Sequence, residues 1–311
     1  MGSSQQPSQR RDTVFMRRTV LLLALALILA TGVIFAIPAA RFRLLALLTH
    51  EPLYNGRPVS YWLTALEAGD ADERREAALT LAEPELVKTC SADQDICRRV
   101  IGGLVATLSD SDVFVRKCAA TSLLSYPRET PIPGGAAVVD KLLAALDDAE
   151  VTVRKAAARS LWQLGEAAGQ GDGVARLTGA LLDKDDFVRE YAARTLGRIG
   201  PDAKTAAPAL LDRLAQDEER DVREHAAKSL GLIGPKALGP LLEKTIAALT
   251  KGLQDPAADV RENSARSLGQ LGARGSVDAL KRIRADPEVR VRTAVNYALR
   301  VLTASSSPEQ P

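Results

Sequence analysis

Asp183-Lys184-Asp185-Asp186-Phe187-Val188-Arg189-Glu190-Tyr191-Ala192-Ala193-Arg194-Thr195-Leu196-Gly197-Arg198-Ile199-Gly200 is one copy of a phrase that recurs through much of the chain. Its parts are an Asp, a Val-Arg pair whose Arg lies six residues after the Asp, paired alanines, two spaced Leu or Ile, and a closing Gly. Aligned on the Arg, it sits at Arg74, Arg116, Arg154, Arg189, Arg223, Arg261 and Arg292, at spacings of 31 to 42 residues. A period in that range marks stacked helix pairs, each of which buries its apolar face only against a neighbour. The fold expected is therefore all-α, a solenoid of about seven helix pairs over residues 58–303.

Each part of the phrase has a physical reason. Counting the Arg as zero, positions +3, +4, +7, +10 and +11 fall on one stripe at about 100° per residue, the core face of an amphipathic helix. Ala192, Ala193, Leu196, Ile199 and Gly200 show it most clearly. Gly165, Gly200, Gly234 and Gly272 stand where this helix, helix B, has to stop, and Pro201 and Pro235 prevent continuation. A second apolar stretch with helical spacing precedes each B helix, as in Val138, Val139, Leu142, Leu143 and Leu146, and forms helix A.

An Arg in the first turn of a helix faces the positive end of the macrodipole, so its recurrence there calls for a carboxylate partner. Asp110, Asp148 and Asp183 precede Arg116, Arg154 and Arg189 by six residues, and Asp217, Asp255 and Asp286 precede Arg223, Arg261 and Arg292 in the same way. The first repeat alone carries Ala68 at that position.

This pattern resembles HEAT repeats, specifically the short bacterial type also called PBS-lyase HEAT-like repeats, whose shared Asp, Val and Arg match Asp183, Val188 and Arg189. The resemblance implies a right-handed superhelix with B helices lining a concave face and an Asp–Arg ladder between neighbouring repeats. It bears on fold more than on function, because the repeated positions build the scaffold. The run Tyr54 to Trp62, with its Asn55-Gly56 turn, is similar to the lead-in segment of membrane-anchored or secreted HEAT-repeat proteins of planctomycete-type bacteria. Trp62 is expected to cover the open apolar end of the first repeat.

From Thr19 to Ala40 there are 22 residues without a charge, enough helix to span roughly 33 Å. The segment reads as a retained transmembrane helix in preference to a cleaved signal peptide that would release a secreted protein, because no Ala-x-Ala site closes it. Residues 1–18 form a basic, disordered tail, 41–57 a connector, and 304–311 a second disordered tail. Arg10, Arg11, Arg17 and Arg18 on one flank outnumber Arg41, Arg43 and Arg57 on the other, which puts the N-terminus in the cytoplasm and the solenoid outside it. Cys90 and Cys97 lie in the longest inter-repeat gap, where they either close a small disulfide loop in an oxidising compartment or stand as two unrelated thiols.

Residues 1–43 hold six Arg and one Asp, which leaves 35 basic and 38 acidic residues beyond them. With no basic stripe and only 4% aromatic residues, a nucleic-acid partner is not expected. The two histidines are His50 and His225. The repeated His-Glu pairs of deoxyhypusine hydroxylase, a di-iron enzyme built from such repeats, have no counterpart here beyond a reversed, solitary Glu224-His225. Neither a metal site, another cofactor nor a catalytic residue is expected, since Cys-x-x-Cys, His-Glu-x-x-His and nucleophile-elbow motifs are missing from the sequence.

The face of the B helices opposite the core collects positions +2, +5 and +9. Row +5 includes Arg159, Arg194, Lys228 and Arg266, row +2 adds Tyr191, His225 and Asn263, and row +9 adds Gln163 and Arg198. Glu190, Glu224 and Glu262 each stand four residues before a base, the spacing for helix ion pairs. Arg159 and Arg198 have no acid at that spacing and are expected to be the least compensated charges. The function expected is a non-catalytic, membrane-anchored scaffold binding a protein or an acidic peptide on this face. The rival is an enzyme or enzyme subunit related to the bilin lyases, acting on a tetrapyrrole or other small molecule.

Overall fold

The computed structural model describes residues 38–127, 130, 132 and 135–304, without the side chains of residues 38, 39, 45, 90 and 91. The chain divides into two compact units, Met1–Ala65 and Leu66–Pro311.

In the first unit, helix α1 (Pro38–Thr49) is followed by a hairpin of β1 (Leu53–Tyr54) and β2 (Arg57–Pro58), then by the start of α2 (Val59–Ala68). Asn55 and Gly56 take φ of 49° and 74°, the paired positive values that a two-residue hairpin turn requires. This small antiparallel sheet, with Leu53 opposite Pro58, departs from the all-α expectation. The Trp62 indole N–H donates to the Tyr54 carbonyl at 2.9 Å, and the Glu51 carboxylate accepts from the Ser60 N–H at 2.9 Å, tying helix to hairpin. Among the described residues no helix is long and apolar enough to cross a membrane. The expected span Thr19–Ala40 lies outside them apart from its last three positions, which open α1.

The second unit is the array. Its B helices are α3 (Ala71–Thr80), α6 (Val113–Ser125), α8 (Val151–Leu164), α10 (Asp186–Ile199), α12 (Arg220–Ile233), α15 (Ala258–Gln270) and α17 (Val289–Ala304). The A helices of repeats two to seven are α5 (Gln94–Thr107), α7 (Ala136–Ala145), α9 (Gly173–Ala180), α11 (Ala207–Gln216), α14 (Leu242–Gly252) and α16 (Val277–Arg282). Two further helices fill longer gaps, α4 (Pro84–Ala92) and the single turn α13 (Pro235–Leu238). Asp93 separates α4 from α5 and caps the latter by accepting from the Asp95 and Ile96 N–H groups. Cys97 is buried on α5; its expected pairing with Cys90 concerns a side chain outside the described residues.

The core stripe is where the phrase requires it. Ala192, Ala193 and Leu196 are fully buried, as are Ala226, Ala227 and Leu230 one repeat later. Gly200 ends α10 with φ of 70°, and a 3₁₀ segment from Gly200 to Ala206 leads into the next A helix.

The arginines and aspartates form a two-part ladder. Each Arg places Nε and Nη2 on the carboxylate of the following repeat: Arg74 on Asp110, Arg116 on Asp148, Arg154 on Asp183, Arg189 on Asp217, Arg223 on Asp255 and Arg261 on Asp286, with Nε–O distances of 2.7 to 2.9 Å. From Arg116 to Arg292, Nη1 donates instead to the backbone carbonyl of the Asp six residues earlier. The same Asp accepts from the N–H two residues on, fixing the A–B turn. One residue type thus shapes its own turn and clamps the previous repeat.

A second set of contacts has no echo in the opening phrase. Ser122, Ser229 and Ser267, at +6, donate their hydroxyls to the carbonyls of Ala78, Ala193 and Ala227 on the preceding B helix at 2.7 to 2.9 Å. In the later repeats Gly197 and Gly231, at +8, make room for them; a Cβ on Gly197 would stand 2.3 Å from Ser229 Oγ.

Candidate functional site

In repeats four to six, stacking turns position +2 toward the preceding B helix. Tyr191 is fully buried, stacked on Phe187 at 4.4 Å between centroids and edge-on to Trp162 of α8 at 5.7 Å. His225 brings Nε2 to 3.5 Å from Glu190 Oε1, and Asn263 donates Nδ2 to Glu224 Oε1 at 3.3 Å. The expectation that Tyr191, His225 and Asn263 offer handles to a ligand is corrected: all three are parts of the seam between B helices.

Arg159 is also reassigned. It is 8% exposed, and its guanidinium fans across the end of α6, donating to the carbonyls of Leu123, Leu124 and Tyr126. The last carbonyls of a helix lack intrahelical donors and carry the negative end of the dipole, so a buried cation satisfies both needs. Expected as one of the most available charges, Arg159 is a helix cap. Gln163 similarly donates Nε2 to the Thr130 carbonyl at 3.1 Å. Arg198 donates to the Trp162 carbonyl at 2.8 Å but stays exposed, and among the described residues no carboxylate pairs with it.

Two of the three expected ion pairs form, Glu190 with Arg194 at 2.9 Å and Glu262 with Arg266 at 2.7 Å. The third does not. Glu224 turns to Asn263, and Lys228 is left exposed with no ion pair among the described residues. The two acids titrate in opposite directions. Burial pushes the Glu190 carboxyl up, but the His225 hydrogen bond and the charges of His225 and Arg194 outweigh it and hold the group below its ordinary range. Burial also raises Glu224, where Asp259 and Asp221 add to it and His225 and Lys228 compensate only in part.

Row +1 adds a pattern that the sequence reading passed over. In the first three repeats it is basic and reaches the next repeat, with Arg75 on Asp112 at 2.7 Å, Lys117 on Glu150 at 3.8 Å and Lys155 on Asp185 at 2.9 Å. In the next three it is Glu190, Glu224 and Glu262. Trp162 was missed as well. Half-buried at +8 of α8, where the next three repeats have Gly, it lies under the guanidiniums of Arg194 and Arg198, 4.6 and 5.4 Å from its ring centroid. An aromatic residue at +8, where the other repeats have Ala, Leu, Gly or Arg, is the signal that would have found it. A cleft of about 670 Å³ between the turns of repeats five and six is lined by Asp217, Arg223 and Asp255, charges already committed to the ladder.

Comparison with known proteins agrees with this geometry. The family described as HEAT repeats matches residues 139–231 and 207–300. The crystal structure of one engineered protein is similar with a TM-score of 0.62 and 22% identity, over 80% of this chain and 69% of that one. A second engineered protein gives a TM-score of 0.51 and 22% identity, over 81% of this chain and 99% of the other. Identities this low speak to the fold alone. No curated protein matches the sequence.

Proposed function

The chain belongs to the HEAT-repeat family, and on that premise we propose that it is a non-catalytic scaffold presenting the outer face of its B helices to a protein partner. In this reading the outer B face is the concave side, the repeats are of the short bacterial PBS-lyase-like type, and Thr19–Ala40 tethers the array to a membrane. The observation that carries the reading is the division of labour among charged residues. The residues common to the repeats are committed to stacking, whereas rows +5 and +9 differ from repeat to repeat and keep Thr121, Arg198, Lys228 and Arg266 exposed. Variation on a regular scaffold is how repeat arrays encode a partner. The tether is supported by 22 uncharged residues running directly into α1, which exposes Leu47 and Leu48.

A photo-crosslinking residue placed at Thr121 or Lys228 in the full-length chain, in its own cell, tests the reading. Control positions are Asp212 and Lys244, exposed on the A helices. The expected result is a discrete protein adduct from the B-helix positions and none from the controls. Equal adducts from both faces, or turnover of a small molecule by the purified chain, would overturn it. Protease accessibility of the array in intact cells tests the proposed placement outside the cytoplasm.

A further inference from the structure

Rows +5 and +9 contain no acidic residue from repeat three to repeat seven. The acids of the same helices stand nearer their N-termini, at Glu190, Asp221, Glu224, Asp259 and Glu262. The outer face is therefore divided lengthwise. One bank, toward the N-terminal ends of α10, α12 and α15, carries these acids. The other combines bases with exposed apolar groups: after Trp162 come Arg198 and Lys228, then Leu232 at 40% exposure, and Tyr297 and Val301 at 39% and 38% on the last helix.

We propose that this second bank is a docking lane for an acidic segment of a partner protein, one in which Asp or Glu alternates with apolar residues. The inference rests on the scaffold reading above and narrows it to a lane and a partner chemistry. Charge complementarity carries it. Lys228 is exposed and forms no ion pair among the described residues, and Arg198 bonds a neutral carbonyl that leaves its charge uncompensated. In repeat three, beside Arg198, the half-buried Trp162 leaves part of its ring at the surface. A carboxylate meets cationic donors along the lane, and apolar side chains meet Trp162, Leu232 and Tyr297. A basic segment would instead face the like charges of Arg198 and Lys228 and be repelled.

The test uses the full-length chain in neutral detergent and a short fluorescein-labelled peptide of repeated Glu-Glu-Leu, with repeated Lys-Lys-Leu as its counterpart, followed by anisotropy. The acidic peptide is expected to bind at least about tenfold more tightly than the basic one and to weaken as salt screens the lane. It should also alter the Trp162 emission, a change missing from Trp162→Phe. Lys228→Glu, which breaks no contact among the described residues, and Arg198→Glu/Lys228→Glu together should each weaken binding, the pair by about tenfold or more. Equal affinity for the two peptides, or undiminished binding by both variants, overturns the lane. If photo-adducts from Thr121 and Lys228 persist while the peptides fail, the scaffold reading stands and the lane falls. Loss of those adducts from the unaltered chain overturns the scaffold reading itself.

Discussion

Arg189 places Nε and Nη2 each 2.9 Å from a carboxylate oxygen of Asp217, 28 residues further along the chain. Asp183, six residues before Arg189, contributes only its carbonyl to that guanidinium. Asp217 is nearly sealed from solvent and is also met by Arg213 at 3.2 Å. Asp217→Asn leaves two partly buried cations without a counter-charge and is expected to cost about 2 to 3 kcal/mol, read from the urea midpoint at unchanged slope. A loss under about 0.5 kcal/mol, the range of ordinary surface substitutions, would remove the ladder from the account of stability.

Acid should weaken the array through the same groups. Arg261 holds the Asp286 carboxyl below its ordinary value, as Arg75 holds Asp112. Burial pushes Asp217 up, but bonds from Arg189 and the Glu219 N–H and the charges of Arg189 and Arg213 bring it down overall. Because these folded-state values lie below the unfolded ones, the stabilisation is complete above the unfolded range, about pH 4, and is lost as pH falls through the folded values. Unfolding free energy measured against pH should show this decline, and Asp286→Asn should flatten it.

Glu190 and Glu224 should respond oppositely to neutralisation. Glu190 is lowered, so Glu190→Gln removes stability at neutral pH. Glu224 is raised, so its ionised form is disfavoured on folding at neutral pH, a penalty that vanishes below the unfolded carboxylate range. Glu224→Gln is therefore expected to raise the unfolding midpoint at pH 7 and leave it unchanged in acid. The same sign for both variants at pH 7 would contradict the opposed titrations.

Close approach of the B helices predicts a contrast between two glycines. A Cβ on Gly231 would lie 2.4 Å from Ser267 Oγ and 2.7 Å from Ser267 Cβ, whereas one on Gly179 meets nothing within 4 Å. Gly231→Ala should cost about 1 to 3 kcal/mol by overpacking, and Ser267→Gly added to it should recover part of the loss. Gly179→Ala should stabilise by about 0.5 kcal/mol through helix propensity alone. Thermal unfolding distinguishes them.

Removing the Arg159 cap should act on the preceding repeat. Arg159→Ala is expected to cost about 2 kcal/mol and to accelerate hydrogen exchange at the C-terminal end of α6. Arg159→Lys should rescue little, because one ammonium cannot span the carbonyls of Leu123, Leu124 and Tyr126.

The period was legible in the recurrence of the phrase and the core stripe of Ala192, Ala193, Leu196 and Ile199 in helical spacing within one repeat, whereas the ladder between repeats followed from the family resemblance: the Asp six residues before each Arg, suggested by spacing alone, gives that Arg only its carbonyl. What stayed hidden depends on how repeats rotate against one another. Tyr191, His225 and Asn263 share a face with Arg194 on an isolated helix, but stacking turns them into the seam. The carbonyls that hold Arg159 belong to residues 33 to 36 positions earlier, beyond any local pattern. Trp162 and the serines at +6 act through the facing helix, so they stand out only when one row is compared across the repeats.

If stacking and recognition use different residues, as proposed, urea midpoint and photo-adduct yield measured together on Lys228→Glu and Asp217→Asn will separate them. Lys228→Glu should lower the stability by no more than about 0.5 kcal/mol, through the like charge it sets four residues from Glu224, and lose the adduct formed from Thr121. Asp217→Asn should lower the midpoint and, at urea concentrations where it is still folded, retain the adduct. A Lys228→Glu chain whose midpoint falls as far as that of Asp217→Asn, or one that keeps its full adduct yield, would contradict this separation.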